Sequence, residues 1–227
     1  MNKNPTGDPR DIQTLAIVGG PVWPAGIGNV TDLYAFHQWH LWNIGQSGGM
    51  AGIDANVLAA WEDYTGKGVV VGVWDDGVEY THPDLDDNYD TSRHLTLQRG
   101  VQDPFPESRQ SMHGTSVAGV IAAEANGKGT VGVAYDATLV GVDIFYDRNF
   151  SDAAFRQLDR FDVTNHSWGF TSPYAANVED RSWNNFFSGW HSSVETGRNG
   201  LGTINVVAAG NSRTINADTN DSNLSSM

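Results

Sequence analysis

Cysteine is absent from the 227 residues, which excludes a disulfide framework, a zinc–thiolate centre and a thiol nucleophile. Basic residues are scarce. Thirteen Lys and Arg stand against 27 Asp and Glu, a formal net charge of -14, and such a field repels nucleic acid and anionic membranes. Metal ions, or peptides carrying Lys and Arg, are the partners it favours. Charge of either sign is also low, at 18%, beside 39% hydrophobic residues and eight Trp, so the chain is not a disordered polyelectrolyte and has material for a core. Long apolar runs are missing as well: none approaches the ~20 residues of a membrane span. Met1-Asn2-Lys3-Asn4-Pro5 leads into polar sequence without an apolar h-region, so no signal peptide is visible. Either the protein is cytosolic or an export signal lies elsewhere in a longer product.

Residues 1 to about 50 are rich in glycine and proline with little periodicity, and read as an irregular arm. Val57, Leu58 and Trp61 within residues 54–64 carry helical spacing. Residues 69–74 (VVVGVW) form a short continuous apolar run, the pattern of a strand buried on both faces of a parallel sheet. A polar connection over about 79–112 precedes a small-residue helix at 115–124. Further strands are expected within 131–144, at 163–168 and at 203–209, with helices at 151–158 and 180–196. Trp183, Phe186, Phe187 and Trp190 repeat at i, i+3, i+4, i+7, a core face. Strands alternating with helices predict an α/β fold with a mainly parallel sheet. After Asn211 the sequence turns polar and stops at Met227, which reads as a cut.

Three junctions carry candidate chemistry, because open parallel sheets bind ligands beyond the carboxyl ends of their strands. Asp75-Asp76-Gly77 follows the first strand; alone its plain reading is a solvated turn, and an acidic magnesium pocket is another reading of paired carboxylates at a strand end. His113 opens the 115–124 helix behind small residues that leave its imidazole reachable. Asn211 follows VVAAG and reads either as a turn residue or as an amide donor to a developing oxyanion. In the order Asp, His, Asn, with VVVGVWDDGVEYTHPDL (69–85), HGTSVAGVIAA (113–123), SWG (167–169) and VVAAGNS (206–212), the chain resembles the subtilisin-like serine proteases. TDLYAFHQWHLWN (31–43) and YTGKGVVVGV (64–73) place the resemblance nearest the kexin- and furin-like branch.

The resemblance implies a three-layer subtilisin-like fold, C-terminally incomplete, with an arm over 1–30 and a partial peptidase domain over 31–227. Asp75 would orient His113 and stabilise its imidazolium. His113 would act as general base and then general acid, and Asn211 would donate to the oxyanion. The family's Gly-Thr-Ser-x-Ala-x-Pro nucleophile segment is absent downstream. Gly114-Thr115-Ser116 is a false match on the His helix, lacking the proline and placing Ser116 along the helix from His113. The chain alone is therefore expected to be inactive, and a longer product an endopeptidase.

Further implications concern calcium and substrate. Side chains of Asp32, Asp84 and Asn126, with carbonyls of Glu124, Lys128 and Thr130, form an implied calcium shell of the oxygen donors that ion takes. Ser167, Trp168 and Gly169 would offer backbone to an extended substrate. Asp76 would favour a basic side chain, and Asp221 would line the primary pocket, although the acids that usually follow SWG are replaced by Phe170-Thr171-Ser172-Pro173. Implied partners are a peptide or protein substrate and the remaining C-terminal part of the domain, with no nucleic acid and no membrane span. A secreted or extracellular location follows from the resemblance. The other histidines, His37, His40, His82, His94, His166 and His191, lack metal-ligand spacing with a carboxylate and read as structural. A non-catalytic pseudoprotease, binding peptide or calcium, shares all these motifs. An acidic receiver explains neither HGTSVAG nor AAGN.

Overall fold

Alternation decides how the first strand sits. Within Val70–Asp75 (β1), Val71 and Val73 face one side while Trp74 faces the other. Side chains alternate between the two faces of a strand, so Asp75 projects on the Val71–Val73 side. Gly72 has a reason beyond flexibility, because a Cβ there would collide with the Trp74 indole.

The computed structural model describes residues 30–97, 99–108, 110–145, 152–169 and 184–211. It resolves two units, one of Met1–Tyr64 with Ala125–Val131 and one of Thr65–Glu124 with Gly132–Met227.

In the second unit, β1 is followed by a short antiparallel pair, Thr96–Leu97 (β2) and Gly100–Val101 (β3), and then by helix His113–Ala122 (α1). Thr138–Asp143 (β4), the short helix Asp152–Phe155 (α2), Val163–His166 (β5), Asn184–Gly200 (α3) and Ile204–Val207 (β6) complete the described elements. The main sheet has order β4-β1-β5-β6 and every pairing in it is parallel. Ala118 and Ala122 of α1 pack with Val71, Val73 and Leu139 on one face. Phe155, Phe186, Phe187 and Trp190 pack with Trp74, Val140 and Val142 on the other. The result is helix, sheet, helix. Fully burying side chains of this size stabilises by about 1.5–3 kcal/mol each.

The expected α/β class and each expected sheet strand are present. The helix expected at 54–64 is not: only the 3-10 turn Ala60–Glu62 forms. Asp54 accepts the amides of Asn43 and Asn56, and Asn56 is left-handed at φ 52. A carboxylate that captures nearby amides offers the backbone an alternative to the helix. The β2–β3 pair inside the polar connection had no periodic signal. The expected helix at 151–158 reduces to α2 and a 3-10 turn at Leu158–Arg160. Of the aromatic face, Phe186, Phe187 and Trp190 are buried, while Trp183 lies outside the described residues.

In the first unit, the loop 125–131 is held by side chains from the 30s. Asp32 Oδ1 accepts the amides of Asn126 and Gly127. Gln38 both donates to the Val131 carbonyl and accepts from its amide. Asn43 is buried, donating to the carbonyls of Met50 and Ile53 and accepting from Gly45.

Candidate active site

Asp75 is the last residue of β1 and His113 the first of α1. Because Asp75 faces the side of the sheet that α1 covers, strand parity and helix packing bring the two together. His113 Nδ1 lies 2.7 Å from Asp75 Oδ1, which also accepts the Asp76 amide at 2.9 Å. The Asp75 side chain is 5% exposed and that of His113 is 59% exposed. The carboxylate is therefore sealed beneath an imidazole that opens to solvent. Burial pushes the Asp75 carboxyl up, against the hydrogen bond from His113 that favours its ionised form. That same bond, ahead of a smaller burial effect of opposite sign, holds His113 above the ordinary imidazole range.

The glycine and threonine of the HGT motif seat α1 against this strand end. A Cβ at Gly114 would collide with the Gly77 carbonyl and lie 2.8 Å from Asp75 Cβ. The Thr115 hydroxyl accepts the Glu79 amide at 2.9 Å. Asp76 joins them: its Oδ1 accepts the Gly114 amide at 2.7 Å and its Oδ2 the His113 amide at 3.3 Å. Sequence reasoning gave Asp76 a role toward substrate only. The signal for this second engagement was the glycine, which marks a close backbone approach.

Asp143 was missed altogether. It ends β4 directly beside Asp75 in the parallel register, is buried, and burial pushes its carboxyl up, with Glu107, Asp76 and Asp75 adding to the effect. Buried Gln102 tethers it by bonding both its carbonyl and its amide.

Ser167, Trp168 and Gly169 follow β5 at the same carboxyl edge of the sheet. Asn165 donates to the Ser167 hydroxyl at 2.8 Å, Trp168 packs edge-on against Phe155, and a Cβ at Gly169 would meet open space. Asn211 is exposed four residues beyond β6, past a left-handed Gly210 at φ 90. Asp221 and residues 170–173 lie outside the described residues. Ser116 donates one turn back to the Met112 carbonyl at 2.9 Å, not toward the imidazole.

The implied calcium donors divide between the units. In the first, Asp32 is buried against the 125–131 loop that contains Asn126, Lys128 and Thr130, and Asn126 Oδ1 accepts the Lys128 amide. In the second, Asp84 and Glu124 are buried neighbours, the Glu124 amide donating to the Asp84 carbonyl. Among the described residues no cluster of three or more His, Cys, Asp or Glu could hold a metal.

Residues 66–226 match a sequence model described as the subtilase family. PC3-like endoprotease variant B of Hydra vulgaris is 37% identical over 214 residues, covering 86% of this chain and 28% of that protein. Neuroendocrine convertase 2 of Drosophila melanogaster is 38% identical over 192 residues, covering 79% and 29%. Among solved structures, the Aeromonas sobria serine protease in complex with its chaperone superposes with a TM-score of 0.70 and 30% identity, covering 80% of this chain and 32% of that one. The chain thus spans about a third or less of the length of each of these proteins.

Proposed function

The chain belongs to the subtilase family, and from that premise we propose that it supplies the acid–base half of a serine endopeptidase centre hydrolysing peptide bonds. The observation that carries this is the 2.7 Å contact between buried Asp75 and exposed His113. With Nδ1 committed to Asp75, the tautomer that leaves Nε2 as the acceptor is favoured, and Nε2 can take a hydroxyl proton. The proton then passes to the leaving amine. Positive charge that develops on the ring is met by the carboxylate below it. Asn211 is the proposed oxyanion donor. The proposed nucleophile is a seryl hydroxyl; the 227 residues contain no Gly-Thr-Ser-x-Ala-x-Pro, and Ser116 is turned away.

Ser167–Gly169 is the proposed edge for an extended substrate, with Asp76 and Asp221 favouring basic side chains. Calcium is proposed as a structural ion held by oxygen donors. Asp32, Asn126 and the carbonyls of Lys128 and Thr130 are the candidate donors of the first unit, and Asp84 and the Glu124 carbonyl are the candidate donors of the second. The all-oxygen set suits it. A secreted or extracellular location accords with the family assignment, and among the described residues no helix is long and apolar enough to cross a membrane.

The test is hydrolysis of a peptide amide by the protein that unites this chain with the serine, compared with its Asp75→Asn and His113→Ala forms. Cleavage that survives either substitution unchanged sinks the proposal. The 227-residue chain alone is expected to cleave nothing; His113-dependent cleavage by it would place the nucleophile among these residues instead.

A further inference from the structure

We propose that Asp76 is a positioning residue for His113: its carboxylate clamps the first two amides of α1 and so sets the imidazole over Asp75. This deepens the peptidase reading and rests on it for its purpose, though not for its geometry. The first amides of a helix have no partner within the helix, and a side-chain oxygen just outside commonly accepts one. Here the residue at the helix entrance, Met112, makes no side-chain cap. The cap comes instead from a residue 37 and 38 positions away in sequence, with one oxygen on the Gly114 amide at 2.7 Å and the other on the His113 amide at 3.3 Å. A negative charge at a helix N-terminus is favoured by the helix dipole.

The clamp belongs to the residue directly after Asp75, whose own amide bonds Asp75 Oδ1. One strand end therefore holds His113 twice, through its ring by Asp75 and through its backbone by Asp76. The glycine at 114 is what permits this approach, since a Cβ would lie 3.2 Å from Asp76 Oδ1 and collide with the Gly77 carbonyl. A helix that slipped along its axis would carry the imidazole off the carboxylate, and a misplacement of about 1 Å can reduce rate by about 10²-fold. The charged groups facing the ring are Asp75 and Asp76, both raising its affinity for a proton. Asp143 lies beside Asp75 across the sheet, and Glu107 acts on Asp143.

The experiment uses the 227-residue chain without substrate, so that a role in specificity does not enter. Amide exchange at Gly114 and the titration midpoint of the His113 imidazole are followed by NMR in wild type, Asp76→Ala and Asp76→Asn. In Asp76→Ala the Gly114 amide is expected to exchange about fivefold faster, the ratio to which about 1 kcal/mol for a lost cap converts. The His113 midpoint should fall, while amides within 117–122 keep their protection. Asp76→Asn retains an acceptor oxygen without the charge. It should restore most of the Gly114 protection but leave the His113 midpoint below wild type. Faster exchange with an unmoved midpoint in both variants would make Asp76 a helix cap only, and would overturn the proposal. Wild-type exchange in Asp76→Ala would overturn it as well. If Asp76→Ala does not fold, Asp76→Ser, whose short side chain removes the carboxylate from both amides, is read in its place against the same outcomes. A response as expected, in a chain whose parent protein cleaves no peptide, would sink the peptidase reading and leave the clamp standing.

Discussion

At the scale of single residues, the site depends on a sealed carboxylate and an open imidazole. Asp75→Asn, in the protein carrying the nucleophile, should lower kcat by about 10⁴-fold, because an amide in that place favours the wrong imidazole tautomer. Steady-state kinetics on a peptide amide checks it; a loss under tenfold would show that Asp75 does not orient the ring. The acid limb of kcat/KM should lie above the ordinary imidazole range. His113 must be neutral to accept a proton, and its bond to Asp75 favours the charged form, so activity appears only as pH rises through the elevated value. Gly114→Ala should destabilise by about 1–3 kcal/mol, the usual effect of overpacking, because the new Cβ meets the Gly77 carbonyl, Asp75 and Asp76 Oδ1. Urea unfolding of the 227-residue chain reads this directly.

At the scale of elements, β5 carries a histidine whose surroundings matter more than its spacing. His166 is fully buried among Trp74, Phe155, Trp168 and Trp190, with Nε2 3.0 Å from the Thr164 hydroxyl. Burial lowers its pKa from 6.5 to about 3. Between those two values the unfolded chain binds a proton that the folded chain refuses. The stabilisation is complete above 6.5 and falls as pH drops toward 3, by up to about 1.4 kcal/mol per pH unit. Denaturant unfolding at pH 7, 6 and 5 should show this slope, and His166→Leu should flatten it. Equal slopes in the two proteins would exclude His166 as the cause. The sequence marked this residue as structural and could say no more, because the ring's aromatic neighbours come from α2, α3 and β1, far apart in the chain. The same limit explains the failed helix at 54–64. Helical spacing was present, but Asp54 bonds Asn43 across eleven positions, which no local pattern reveals.

At the scale of the whole molecule, the calcium proposal predicts that saturating ion at about 100 times its Kd raises stability by about 2.7 kcal/mol. Chelation should lower Tm, and Asp32→Ala should remove the response. A Tm indifferent to calcium would refute the proposal. The sheet strands, the parallel sheet and the candidacy of Asp75 and His113 were legible in the sequence, the first two because buried strands read as apolar runs, the last because a strand-end Asp and a histidine opening a small-residue helix recur in the order that carries the family resemblance. What the sequence alone determined was therefore which groups could meet and in what order they occur. Tertiary structure decided that Asp76 clamps a helix 37 residues away, that Asp143 lies beside Asp75 through parallel register, and that His166 is held neutral in an aromatic core. Each of these depends on distances between elements, and such distances are set by packing after the elements form.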